Sequence, residues 1–225
     1  MKKTTYLVLE GSEGTGKSTQ AKLLIESLRN QGYSVLETKE PGTVHSPLTL
    51  ELRKIMLDAK YEDQMTVEAR EYVSQAIRSI HLNKVIYPNL GQYDFIIQDR
   101  GVLSGMAYGV ACGNALSFIK LLSDGTIGEE GKKRGIDLYN LYDHIIVFRG
   151  SIKKGLERAT QAKKEFEAGD AMENKGVSFL EVVNQNFESY SKFFKNVHFI
   201  DIESDSGLRS IEEVQQDILK VLDLE

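Results

Sequence analysis

Cysteine is nearly missing from this chain. The single residue, Cys112, excludes an internal disulfide and fits a reducing, cytoplasmic setting. Basic excess is missing too: 28 Lys and Arg against 33 Asp and Glu leave a net charge of −5. That balance gives no overall field to hold nucleic acid or an anionic membrane, so any anionic ligand must be held by locally placed cations. The apolar run near the start, Tyr6 to Leu9, is far too short for a signal-peptide core or a membrane span. Three prolines, at 41, 47 and 88, mark no interdomain linker, and neither repeats nor low-complexity segments occur. With 225 residues, 41% of them hydrophobic, the expectation is one α/β unit over 1–225 carrying a small lid.

What is present alternates. TYLVLE (5–10), SVLET (34–38), YDFIIQD (93–99), DHIIVF (143–148) and VHFIDI (197–202) read as strands. Between them lie helical stretches. In 17–29, Ala21, Leu24, Ile25 and Leu28 recur at helical spacing, with Gly32 as the stop. Residues 47–59 place Leu48, Leu52, Ile55 and Met56 on one face. Residues 67–86 place Val73, Ala76, Ile77, Ile80 and Lys84 likewise, ending at Pro88. Ser210 with Glu213 signals a capped final helix carrying Val214, Ile218 and Val221. The alternation predicts a parallel β-sheet flanked by helices on both faces. Residues 150–178, dense in charge with a thin apolar stripe, read as a solvated helix or a mobile cover.

GSEGTGKS (11–18) matches G-x-x-x-x-G-K-[ST], with a strand before it and a helix after it. Gly11, Ser12, Glu13, Gly14, Thr15 and Gly16 can wrap backbone N–H groups around a phosphate. Lys17 reaches the outer phosphates, and the Ser18 hydroxyl, followed by Thr19, can ligate Mg²⁺. The same residues would also suit a plain glycine-rich turn, but the strand–loop–helix context favours a nucleoside triphosphate. Asp99 ends an apolar strand, where a carboxylate helps hold Mg²⁺, and Arg100 follows at the rim, placed to neutralise a phosphoryl group in flight.

Taken together, GSEGTGKSTQ, KEPGT (39–43), LRKIML (52–57), AIRSIH (76–81), DRGVLSGMAY (99–108), YDHIIVF (142–148) and GLERA…GDAMENKG (155–176) resemble the thymidylate kinases over nearly the whole chain. The resemblance implies a P-loop NTPase-like fold with a helical lid at about 151–173, and transfer of the ATP γ-phosphate to thymidine 5′-monophosphate. Lys17 and Ser18 would hold ATP and Mg²⁺, with Asp99 at the metal. Glu13 would receive the acceptor's 3′-hydroxyl, Arg53 and Arg100 its phosphate, and Pro41 would line its site. Arg78 would donate to a base carbonyl, Ser104 would lie near the base, and Tyr108 would pack against the sugar. Gly14 stands where one group of the family keeps its catalytic arginine. Lid cations would therefore serve, Arg158 first, then Lys163 or Lys164. The resemblance also implies a homodimer, with the helix at 67–86 available for the contact. Arg53, Arg78 and Tyr108 would equally suit ordinary helix-surface or core positions, and the lid cations a solvated face.

The sequence departs from the family around the base. Ser74 stands where a stacking ring is usual, and Gly105 and Gly109 replace polar residues, which opens that pocket. Stacking on an aromatic face is worth about 1–3 kcal/mol, so Tyr72 or Tyr108 would have to supply a face or selectivity would relax. A broad deoxynucleoside monophosphate kinase, or a guanylate or uridylate kinase, is the alternative within the same chemistry. A nucleotide switch would need an Asn-Lys-x-Asp segment, which neither LNKVIY nor ENKGVS supplies. A catalytically inert nucleotide-binding protein is disfavoured by the intact loop, Asp99 and Arg100. The four histidines, at 45, 81, 144 and 198, show no catalytic spacing.

Overall fold

A computed structural model describes residues 3–161 and 170–224. Of the lid segment expected at 151–173, Lys163 and Lys164 lie outside the described residues. Five strands, β1 (Thr5–Glu10), β2 (Val35–Lys39), β3 (Phe95–Asp99), β4 (His144–Arg149) and β5 (Val197–Asp201), form a parallel sheet in the order β2-β3-β1-β4-β5. A hairpin of β6 (Glu203–Ser204) and β7 (Gly207–Leu208) follows. The helices are α1 (Lys17–Asn30), α2 (Pro47–Leu57), α3 (Val67–His81), the short α4 (Tyr87–Asn89), α5 (Val102–Ala111), α6 (Leu116–Lys133), α7 (Ile152–Gln161), α8 (Gly176–Ser191) and α9 (Ile211–Val221).

The strands are apolar on both sides because both sides are covered. Leu7, Leu9, Ile97, Ile146 and Phe148 pack against Leu24, Ile25 and Leu28 of α1 and Val214 and Ile218 of α9. Tyr6, Val8, Ile96, Ile145 and Val147 pack on the opposite face against α5, α6 and α8 through Met106, Ile119, Val183 and Phe187. A third, smaller cluster joins Met56 and Leu57 of α2, Ile77 of α3, and Ala171 and Met172. The cap expected at Ser210 is present and reciprocal: its hydroxyl takes the Glu213 N–H, and Glu213 takes the Ser210 N–H.

Two helical expectations need correcting. In α2 the buried residues are Thr49, Met56 and Leu57, while Leu48 and Ile55 are 58% and 44% exposed. The helix ends at Leu57 because Asp58 turns extended and its side chain caps a 3₁₀ segment over Ala59–Gln64. In the second stretch, α3 stops at His81 and a π-helical turn over Leu82–Ile86 leads into α4. Pro88 therefore lies one residue before the end of a continuous helical run that closes at Asn89, and the π-helical turn ahead of it shifts the ladder in which its missing N–H falls. The buried face of α3 is mostly polar: Glu71, Gln75, Arg78 and His81, with Ile77. Ala76 and Lys84 of the expected apolar stripe are exposed, and Val73 and Ile80 are half-buried. A helix that turns charged groups inward does so because something polar is to be held there.

Candidate active site

The loop between β1 and α1 closes by backbone geometry. Gly16 caps α1 at φ 83°, a left-handed conformation that a side chain strains. Gly14, at φ 67°, has α7 directly on it: a β-carbon there would stand 1.8 Å from the Gly155 carbonyl oxygen. The place of a loop side chain at 14 is thus filled by backbone of α7. Arg158 of α7 donates through Nε to the Gly14 carbonyl at 2.9 Å, and its Nη2 is buried with no partner among the described residues. Arg158 therefore reaches the phosphate loop with Nη2 uncommitted among the described residues.

Lys17 folds over the same loop, with Nζ 2.6 Å from the Ser12 carbonyl and 3.4 Å from Thr15 Oγ1. Burial, and then the Arg100 charge, push its pKa down to about 8 against the pull of Asp99, Glu13 and Glu10. Ser18 Oγ lies 3.2 Å from Asp99 Oδ2, and Asp99 Oδ1 is buried without a hydrogen-bond partner among the described residues. A hydroxyl beside an orphaned carboxylate oxygen is the donor set that a hard, oxygen-preferring cation such as Mg²⁺ uses.

Beyond Arg100 opens a cleft of about 830 Å³, its open mouth included. Glu13, Pro41, Arg53, Arg78, Arg100, Ser104 and Tyr108, all expected at the acceptor site, line it. Arg100 has φ 62°, rare for a residue other than glycine, which turns its side chain back across the strand ends. Its Nη2 meets Glu13 Oε1 at 2.6 Å, its Nη1 meets the Gly11 carbonyl at 2.8 Å, and its guanidinium lies 5.2 Å from the Tyr108 ring centroid. The Tyr108 hydroxyl donates to the other oxygen of Glu13. Burial alone would raise the Glu13 pKa; Arg100, Lys17 and Tyr108 together hold it below the usual carboxylate range. Glu13 is therefore an anion that ties the phosphate loop to the cleft. Arg53 donates through Nη1 to the Pro41 carbonyl at 3.0 Å.

Tyr72 is not brought to the site. It is 56% exposed and packs edge-on against Phe118. Ser74, Gly105 and Gly109 do line the cleft, and no ring stands at position 74, where the resemblance implied one.

Several residues escaped the sequence reading. Glu10, fully buried at the end of β1, accepts from the backbone N–H of Gly101 and Ser104, at 3.0 and 3.1 Å, and from the Ser104 hydroxyl. Burial raises its pKa above the ordinary value despite those bonds. The sign available in the sequence was an acid closing an otherwise apolar strand. Glu40, just before Pro41, pairs with Arg78 Nε at 2.9 Å and with His81 Nδ1 at 2.9 Å. His81 Nε2 in turn meets Thr38 Oγ1 at 2.8 Å. Burial pushes the Glu40 carboxyl up, and Arg78 and His81 overcome it, leaving the pKa lowered. Gln75 takes Arg78 Nη1 at 3.0 Å and donates to Glu71 and, at 3.0 Å, to Ser123 Oγ. KEPGT carried Glu40 in plain view; Glu71, Gln75 and His81 carried only helical spacing toward a face taken for apolar.

A phosphate loop, a metal-competent Ser–Asp pair and an adjoining cleft walled by arginines define a phosphotransferase of the P-loop class that works on a small acceptor. The comparisons narrow this further. The family model for thymidylate kinase matches residues 9–218, and the chain belongs to that family. It is 31% identical to a thymidylate kinase of Caldicellulosiruptor saccharolyticus, over 98% of this chain and 97% of the relative. It is 30% identical to one from Halothermothrix orenii, over 95% and 93%. The crystal structure of thymidylate kinase from Ehrlichia chaffeensis shares the fold, with a TM-score of 0.71 at 24% identity, covering 98% of this chain and 99% of that one.

Proposed function

We propose that the protein transfers the γ-phosphoryl group of ATP to the 5′-phosphate of thymidine monophosphate, with 1–225 acting as one kinase unit under a lid at about 151–173. The observation that carries this reading is the contact of Arg100 with Glu13. One residue of the cleft and one of the phosphate loop are joined at 2.6 Å, so donor and acceptor sites share a wall.

The loop amides, Lys17 and Thr19 cradle the ATP phosphates, while Arg53 and Arg100 take the acceptor phosphate, held against Pro41. Ser18 and Asp99 are the residues that would hold Mg²⁺, which, when bound, neutralises phosphate charge. The protein itself supplies no nucleophile. It aligns two mutually repelling anions and offers cations where charge spreads in the transition state. Arg100 and Lys17 face that region from two sides, and Arg158, with its uncommitted Nη2, reaches it from the lid. Glu13 is charged and oriented to accept the 3′-hydroxyl of the sugar, and Tyr108 packs beside it. Arg78 and Ser104 stand toward the base.

The half-exposed stripe of α3, with Tyr72 and Ala76 outward and Leu121 of α6 71% exposed nearby, supports a homodimer formed through these helices. No helix among the described residues is long and apolar enough to cross a membrane. The proposed setting is cytoplasmic, with nucleotides and not nucleic acid as partners.

The test is ATP-dependent turnover with Mg²⁺ of the 5′-monophosphates of thymidine, deoxyuridine, deoxyguanosine, deoxycytidine, deoxyadenosine, uridine and guanosine. Preference for thymidylate is expected. Comparable turnover of several deoxynucleotides would favour the broad alternative, and none at all would end the kinase reading.

A further inference from the structure

The base end of the cleft lacks a stacking ring, yet it contains a carboxylate. Glu71 projects from the first turns of α3, is 4% exposed, and lines the cleft. One of its oxygens, Oε1, accepts from Gln75 Nε2. The other, Oε2, has no hydrogen bond among the described residues and faces α5 at Gly109, where a β-carbon would stand 2.8 Å away. Glu71 thus commits one oxygen within the protein and leaves the other as an acceptor open to a donor that enters the cleft.

The wall beside it is complementary. A β-carbon at Gly105 would stand 2.6 Å from Arg78 Nη2. Gly105 and Gly109 are four residues apart on α5, hence on one face, one turn from each other. Arg78 commits Nε to Glu40 and Nη1 to Gln75 and Ser123; Nη2 has only a long 3.4 Å contact to the Gly101 carbonyl. The two glycines thus bare one donor, Arg78 Nη2, and one acceptor, Glu71 Oε2, about a helical turn apart, and Gln75 bridges the residues that bear them.

We propose that Glu71 is a specificity-determining residue of this enzyme: its Oε2 accepts the ring N–H of a keto base while Arg78 donates to the carbonyl beside that N–H. The proposal rests on the cleft taking the acceptor's base. Thymine, uracil and guanine each carry a ring N–H next to a carbonyl. Neutral cytosine and adenine carry no ring N–H at all. A site built to hydrogen-bond an N–H rejects an analogue without it far more strongly than an apolar pocket rejects a change of size. Polar reading by Glu71 therefore supplies the selectivity that Ser74, with no ring, does not.

The experiment compares thymidine monophosphate with its N3-methyl analogue, which keeps both carbonyls and loses the N–H. Wild-type protein, Glu71→Leu and Glu71→Gln are each checked for an unchanged thermal midpoint. The wild type is expected to favour the unmethylated acceptor by about 10–100-fold in kcat/KM, the range for a hydrogen bond to a charged group. Glu71→Leu should bring the ratio near one by raising KM for thymidylate, with KM for ATP unmoved. Glu71→Gln, which keeps a neutral acceptor oxygen, should hold an intermediate ratio. If Glu71→Leu weakens both acceptors equally and the ratio persists, the residue merely braces Gln75 and the proposal falls. It falls too if wild type treats the two acceptors alike, a result Glu71→Leu is not needed to read, or if deoxycytidylate is the preferred acceptor. Those outcomes leave the kinase reading intact, whereas no turnover of any monophosphate overturns that reading and this proposal together.

Discussion

The two ends of the nucleotide-binding region are built from different materials. The phosphate end is mostly backbone: glycines, amide groups, and an α7 carbonyl pressed against Gly14. The other end, proposed to take the base and called the base end below, is mostly side chain: Glu40, His81, Gln75, Arg78, Glu71 and Ser123 bonded to one another in the interior. Backbone has few ways to change, so the first end can do one thing, which is to hold phosphate. Side chains can be exchanged singly, so the second end can be retuned, but each member is buried and each loss leaves a partner unsatisfied.

Removing Arg78 should give the largest effect. Arg78→Met strands the buried Glu40 carboxylate, a loss of about 3–5 kcal/mol in urea unfolding. The double variant with Glu40→Met should recover much of it. If the single variant costs under 1 kcal/mol, the base end is not the cooperative unit described. Next is Lys17→Met, expected to lower kcat by about 10²–10³-fold, as for one preorganised donor at a developing charge, with little change in unfolding. Gly14→Ala should follow: about 1–2 kcal/mol of left-handed strain, plus a collision with Gly155 that moves α7, read as a lower thermal midpoint together with a raised KM for ATP. An unchanged KM would mean that the α7 contact is irrelevant to nucleotide. The smallest change is expected outside the region, at the exposed Arg149–Asp201 pair, 2.8 Å apart. Arg149→Ala should cost less than about 1 kcal/mol in unfolding.

Protons offer another way to sharpen the contrast. Lys17 has its pKa depressed to about 8 in the free protein. Nucleotide phosphates favour the ammonium and raise that pKa again. At pH 7 Lys17 is charged with or without nucleotide, so ATP binding should take up little proton there. At pH 9 the free protein has largely lost this proton, so binding should take one up, and affinity should fall as pH rises above 8. Calorimetry in two buffers of different ionisation enthalpy measures the uptake, and its disappearance in Lys17→Met assigns it.

The phosphate end was the readable one. GSEGTGKS specifies its own turn, and each of the five strands of the parallel sheet announced itself as a short, largely apolar run because both sheet faces are covered; the two-residue strands β6 and β7 were too short to be read. The lining of the cleft was legible only where the motifs ran through it, as at Arg78, Ser104 and Tyr108. Glu71, Gln75 and His81 were missed because helical periodicity counts apolar residues to find the inward face, and α3 buries charge instead. The same rule misdirected α2, whose Leu48 and Ile55 point outward. Tyr72 could not be separated from Tyr108 as a ring for the base, since both are tyrosines near the motifs; only their helices' rotation decides.

One pairing within the sheet has a consequence for accuracy. Leu9 of β1 is registered against Asp99 of β3, and the Arg100 N–H donates to the Leu9 carbonyl at 2.9 Å. The phosphate loop begins two residues after Leu9, and the arginine of the cleft comes one residue after Asp99. Two neighbouring strands about 4.8 Å apart therefore act as a ruler between donor and acceptor. The tolerance of that ruler is that of one buried backbone hydrogen bond, a few tenths of an ångström, in a reaction where an error of about 1 Å can cost a hundredfold in rate. Side chains on either side can be exchanged without recalibrating it.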